Sequence, residues 1–137
     1  VRSRIDFFTQ TAIKFKSKFE FIHKNDEIIL DFNEIKLQRI VDNNLTNAIK
    51  YTLENETIYV VLKLHRGDCD LIIESRSAQI LDPQKIFEEY HREEISKEGF
   101  GLGLNLVKRI CSEENVGIKL ESGENWASFT YTFKGII

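Results

Sequence analysis

Leu37-Gln-Arg-Ile-Val-Asp-Asn-Asn-Leu-Thr-Asn-Ala-Ile-Lys-Tyr-Thr52 is the stretch whose reading decides the fold. At about 100° per residue it winds into a helix with two unlike faces. Leu37, Ile40, Val41, Leu45, Ala48 and Ile49 spread over one broad side that has to be buried. Arg39, Asn43, Asn47 and Lys50 fall in a narrow stripe on the other side, one turn apart. Amides and cations stacked this way can hold a metal ion together with its anionic ligand. An ordinary amphipathic helix with a wet face is the plain alternative. Against it stand three asparagines, Asn43, Asn44 and Asn47, each a poor helix former that costs helix stability. That cost points to a function.

Working outward from this helix, the periodicity gives one domain. Residues 5 to 19 carry Ile5, Phe8, Ala12, Phe15 and Phe19 at helical spacing, with Lys14, Lys16 and Lys18 towards the C-terminal end, where cations suit the helix dipole. Glu27 to Phe32 alternates and reads as a strand. After the central helix, Thr57 to Leu64 alternates again and Cys69 to Glu74 is a second apolar run. His65-Arg66-Gly67-Asp68 reads as the hairpin connection between them. The pattern stops from Ser75 to Asp82, and Pro83 can open a short helix to Tyr90. Residues 88 to 98 are almost wholly polar and are expected to be mobile. Leu104, Val107, Ile110 and Cys111 then recur at helical spacing, and Val116 to Leu120 and Trp126 to Phe133 close the chain as strands. The fold class is therefore α/β: a two-layer sandwich, with a mixed sheet of about five strands and three main helices on one face.

Composition narrows the function. A chain of 137 residues suits one domain with a real core. Hydrophobic content of 42% with 30% charged residues is that of a globular protein. A net charge of -3 argues against a nucleic-acid binder. No apolar run approaches the ~20 residues of a membrane span, and no signal peptide is visible. Cys69 and Cys111 lack metal-ligand spacing and read as buried thiols in a reducing compartment. A start at Val1 and the absence of methionine suggest a piece of a longer protein.

Gly99-Phe-Gly-Leu-Gly-Leu104 leads into the last helix. Free backbone N–H groups and the dipole at a helix start suit phosphate, and alternate glycines let the backbone approach it closely. The dinucleotide fingerprint and the P-loop both fail here. A charged loop rather than a strand precedes Gly99, and no Gly-Lys-Ser/Thr follows. A flexible hinge before a helix is the plain alternative.

Taken together, these motifs resemble the ATP-binding catalytic domain of bacterial sensor histidine kinases, in the GHKL superfamily shared with Hsp90-type chaperones, gyrase and mismatch-repair ATPases. The resemblance covers essentially the whole chain and implies the Bergerat-type ATP-binding fold. Asn43-Asn-Leu-Thr-Asn-Ala-Ile-Lys-Tyr-Thr52 matches the N box, Ile86-Phe-Glu-Glu-Tyr-His-Arg92 the F box and its trailing arginine, and Gly99 to Lys108 the second glycine box. By that resemblance Asn47 ligates Mg²⁺ bridging the triphosphate of ATP, with Asn43 beside it as a second candidate ligand. Lys50 offers its ammonium to phosphate oxygens, and Tyr51 lies against the nucleotide. Gly99, Gly101, Leu102, Gly103 and Leu104 supply backbone N–H groups. Phe87 anchors the 88 to 98 lid, and Arg92 reaches the phosphates from it.

Position 43 resembles one that carries a glutamate general base in the superfamily's water-hydrolysing ATPases. Asn43 cannot take up a proton near neutral pH, so the resemblance implies ATP held without fast hydrolysis. The phosphoryl group then goes to a histidine of a phosphoacceptor domain, by positioning and charge neutralisation. His23, His65 and His91 stand in no acceptor context. A phosphoacceptor and dimerisation domain of the same kinase and a cognate response regulator are the implied partners, with the fragment itself monomeric. A cytoplasmic location follows, with the parent protein anchored in the bacterial inner membrane.

The first glycine box departs from the family pattern. Its Asp-x-Gly-x-Gly aligns with Ser75-Arg-Ser-Ala-Gln79, followed by Ile80, so Ser75 stands where the adenine-reading aspartate belongs. Ser75, Ser77 and Ile80 are carried over as nucleotide contacts. Replacing a charge-assisted hydrogen bond by one to a hydroxyl weakens binding by roughly 1.5–3 kcal/mol. Bridging water recovers part of that. The degenerate loop also motivates an alternative, a pseudokinase interaction module that needs no nucleotide. A stand-alone anti-sigma-type serine kinase fits the length but not Asn43.

Overall fold

The computed structural model describes residues 1–14, 16–23, 32–53, 55–65, 67–76 and 100–134, with side chains at 50, 51, 65 and 100–103 not described. Three helices, α1 (Arg2–Lys14), α2 (Glu34–Tyr51) and α3 (Phe100–Glu113), accompany five strands: β1 (Lys18–His23), β2 (Thr57–His65), β3 (Asp68–Ser75), β4 (Gly117–Gly123) and β5 (Trp126–Phe133). The sheet order is β1-β2-β3-β5-β4. β1 runs parallel to β2 and the remaining pairs are antiparallel, so the sheet is mixed. The α/β two-layer expectation holds.

The alternation that marked the strands sorts their two faces. Ile58, Val60, Cys69, Leu71, Ile73, Tyr131 and Phe133 are buried against Ile40, Val41, Leu45 and Ile49 of α2 and Val107, Ile110 and Cys111 of α3. Residues of the other parity, such as Lys18, Glu20, Tyr59, Lys63 and Glu74, face solvent. Asn33 caps α2 by accepting from the Lys36 N–H at 3.0 Å. The β2–β3 hairpin pairs His65 with Asp68, leaving a two-residue connection in which Gly67 takes φ 84°. Arg4 grips Asp42 through two bonds of 2.8 Å and ties α1 to α2.

The first helix ends earlier than its spacing suggests, and Lys18–His23 is a strand. Lys16 adopts φ 60°, a left-handed conformation that stops a helix, and Ser17 N–H closes the end on Ala12 O at 2.8 Å. Phe19 and Phe21 then alternate towards the core instead of continuing the helical stripe. The strand expected at Glu27–Phe32 lies outside the described residues except for Phe32, and the helix expected at Pro83–Tyr90 lies wholly outside them. β4 runs to Gly123, past the expected end at Leu120.

Candidate functional site

Two contacts fix how α2 and α3 lie. Lys36, in the first turn of α2, pairs with Glu114 just beyond α3 and reaches Glu113 at 3.9 Å. The two helices pack together, with the start of α2 against the end of α3. Asn47 lies eleven residues further along α2, about 16 Å at 1.5 Å per residue. The N box therefore sits at the end of α2 away from that contact. The chain leaves α2 at Tyr51 and enters β2 at Thr57, so this is also the end where β3 finishes at Ser75. Leu53 N–H donates to Arg76 O at 2.9 Å and fastens the α2 exit to the end of β3.

Each element brings its own chemistry. The helix α3 starts at Phe100, so Gly101, Leu102 and Gly103 lie inside its first turn rather than ahead of it. N–H groups of a first turn have no partner within the helix, which keeps them available to an anion. Leu104 is buried at 2% exposure and roots that turn in the core. Ser75 shares the parity of Cys69, Leu71 and Ile73, which puts it on the helix-covered side, and it pairs with buried Ala127. Asn43 donates its Nδ2–H back to Arg39 O at 2.8 Å. One of its two amide hydrogens is thus used within the helix, and the carbonyl oxygen is the atom it can offer a cation.

Asn47 decides the reading of the stripe. It is not on a wet face but 6% exposed, and its Nδ2 is buried without a hydrogen-bond partner. A buried amide left unpaired costs about 1–3 kcal/mol, so this position is maintained against the interest of stability. Asn44 is the contrast. It is 2% exposed, donates to Ile40 O at 2.8 Å and accepts from Tyr131 Oη at 2.8 Å. The functional weight placed on all three asparagines therefore needs correcting for Asn44, which is structural.

The residues present suit a magnesium ion. Among the described residues no group of three His, Cys, Asp or Glu could cage a metal. Mg²⁺ is commonly held by few protein oxygens plus substrate phosphates, and a carboxamide oxygen is a suitable hard donor. Burial raises the thiol pKa of Cys111 from 9.0 to about 12, and raises that of Cys69 with help from Asp70. Both cysteines are buried, as expected. Of the other candidates, the side chains of Lys50 and Tyr51 are not described. Ser77, Ile80, Phe87, Arg92 and Gly99 lie outside the described residues.

Comparison with known proteins decides the family. The model of histidine kinase-, DNA gyrase B- and HSP90-like ATPases matches residues 32–135. The chain belongs to this family. It is an ATP-binding domain of the type found in sensor histidine kinases. The sensor histidine kinase HprS of Escherichia coli (strain K12) is 36% identical over 90 residues, 64% of this chain and 20% of HprS. The chain spans about a fifth to a third of the curated relatives it matches. The nucleotide-free catalytic domain of histidine kinase ThkA superposes with a TM-score of 0.85 at 22% identity, over 97% of this chain and 88% of that one. ThkA in complex with the response regulator protein TrrA gives 0.80 at 21% identity, over 96% of this chain and 38% of that one. These structures share the fold described above.

Proposed function

We propose that the 137 residues form the catalytic ATP-binding part of a two-component sensor histidine kinase, within a longer protein. In this reading the domain holds Mg·ATP between the last turns of α2 and the first turn of α3. It presents the γ-phosphate to a histidine on the phosphoacceptor and dimerisation domain of the same kinase. The bond from the γ-phosphorus to the bridging oxygen breaks, a bond to a ring nitrogen of the acceptor forms, and ADP leaves. The observation that carries this is the buried Nδ2 of Asn47, an amide donor with no hydrogen-bond partner in the protein and suited to a phosphate oxygen.

The roles follow from donor and acceptor chemistry. Asn47 offers its amide oxygen to Mg²⁺, with Asn43 as a second oxygen. When bound, the metal supplies neutralisation of phosphate charge. The N–H groups of Gly101, Leu102 and Gly103 meet phosphate oxygens. Lys50, Tyr51, Ser77, Ile80, Phe87, Arg92 and Gly99 complete the proposed set by family resemblance. Asn43 supplies no general base for water, so the domain holds ATP and hydrolyses it slowly. The phosphoryl group passes onward to a response regulator, the class of partner in the ThkA–TrrA complex. The proposed location is cytoplasmic, with the parent protein anchored in the bacterial inner membrane. Among the described residues no helix is long and apolar enough to cross a membrane.

The test is labelling of the longer kinase with γ-labelled ATP. Acid-labile, base-stable label on a histidine is the expected result. Absence of label with intact acceptor domain contradicts the kinase reading and favours the nucleotide-independent interaction module, which the Ser75 substitution motivates.

A further inference from the structure

The roles above leave one buried hydroxyl without a task. Thr52 ends α2 through its backbone, donating N–H to Ala48 O at 2.9 Å, so the cap makes no use of the side chain. Its Oγ1 is shut off from solvent and has no hydrogen-bond partner. Valine would fill the same volume without that cost, so the hydroxyl is kept for something other than the fold. Its position suggests what. Thr52 and Ser75 each adjoin one end of the Leu53–Arg76 backbone bond, which fastens the α2 exit to β3. Ser75 is half-buried on the helix-covered side, above Ala127. Asn47, whose unpartnered amide marks the phosphate end, lies five residues earlier on the same helix. Ser17 Oγ, the other buried unpartnered side-chain oxygen among the described residues, belongs to the turn before β1, two strands away from β3.

We propose that Thr52 and Ser75 form a hydroxyl pair that reads the base edge of the nucleotide, and that this pair accepts guanine as well as adenine. The inference rests on the nucleotide reading of the site. Its chemistry is that of donors and acceptors. Adenine presents an amino group where guanine presents a carbonyl oxygen. A carboxylate only accepts, so it bonds the amino group and repels the carbonyl. A hydroxyl rotates to donate or to accept. Two hydroxyls, one from each side of the Leu53–Arg76 bond, satisfy either edge, and the selectivity for adenine that a carboxylate enforces is lost.

Calorimetry on the 137-residue chain with Mg·ATP, Mg·GTP and Mg·tripolyphosphate tests this. ATP and GTP dissociation constants within about tenfold of each other are expected. Ser75→Asp should strengthen ATP, weaken GTP and open the ratio to about a hundredfold or more. Thr52→Val should weaken both nucleotides by about five- to thirtyfold. It should leave tripolyphosphate affinity unchanged and the Tm unchanged or raised. Thr52→Ser, which keeps the hydroxyl, should restore nucleotide affinity. A wild-type preference for ATP above a hundredfold overturns the proposal, as does a Thr52→Val variant with unaltered nucleotide affinities. Those outcomes leave ATP binding standing. Failure of all three ligands to bind at millimolar concentration defeats the nucleotide reading itself.

Discussion

Asn44 and Asn47 sit less than one turn apart on the same helix, both almost fully buried, and they are treated oppositely by their surroundings. Asn44 has both ends of its amide engaged, by Tyr131 Oη and by Ile40 O. Asn47 has a buried Nδ2 with nothing to meet. A satisfied polar group in a core specifies how elements dock, whereas an orphaned one lowers stability and persists only if something else uses it. Asn44 locks α2 onto β5. Asn47 keeps a buried N–H donor that suits an acceptor such as a phosphate oxygen.

The largest effect that can break this contrast is at Asn47. Asn47→Ala should lower Mg·ATP affinity by about 10–100-fold, the usual cost of disturbing a metal's protein shell, and abolish its magnesium dependence. Thermal unfolding should move less than affinity does, because the buried Nδ2 makes no protein hydrogen bond. An unchanged affinity removes Asn47 from the ligand role. Next comes Tyr131→Phe, which strips Asn44 Oδ1 of its donor in the core. It should cost about 1–3 kcal/mol, several degrees in Tm, with nucleotide affinity little altered. Adding Asn44→Leu to Tyr131→Phe should recover much of that loss, since replacing both partners leaves no orphan. A double variant less stable than either single one contradicts the assignment.

The smallest effect is on the alkaline side. Burial holds the Cys111 thiol at about 12 instead of 9.0, and it also raises Tyr131. Both groups keep their protons more tightly when folded than when unfolded. Their contribution is therefore fully present below about pH 9. For Cys111 it is lost as pH rises from 9.0 towards 12, at up to about 1.4 kcal/mol per pH unit. Cys111→Ala should flatten the fall in urea-unfolding free energy over that window by about one proton's worth. An unchanged slope would show that the thiol titrates normally.

Periodicity made most of this fold readable. β2 and much of β5 alternate, β3 reads as a short apolar run, and all three are strands in the structure. The central helix was equally plain because its apolar sector is broad. β1 was hidden because Phe15 and Phe19 extend the helical spacing of Ile5, Phe8 and Ala12. The break comes from Lys16 in a left-handed conformation, a residue type that gives no warning of it. Asn44 was legible in principle. At about 100° per residue it falls in the middle of the apolar sector, between Ile40 and Leu37, and its placement there signals a buried partner.

The site was legible differently. Asn43, Asn47 and Gly101 to Leu104 were singled out through motif spacing, and they are the proposed ligand set on two helices that pack together. The start of α2 meets the end of α3 through Lys36 and Glu114, a surface pair that no local pattern announces. Thr52 could not be singled out at all. Its hydroxyl becomes conspicuous only when the packed structure leaves it without a partner.

The most direct measurement is a crystal structure of the chain grown with Mg²⁺ and a non-hydrolysable ATP analogue. The account requires the metal within about 2.0–2.1 Å of the Asn47 amide oxygen and phosphate oxygens on the N–H groups of Gly101 to Gly103. Nucleotide bound elsewhere, or a metal with Asn47 turned away from it, would contradict it.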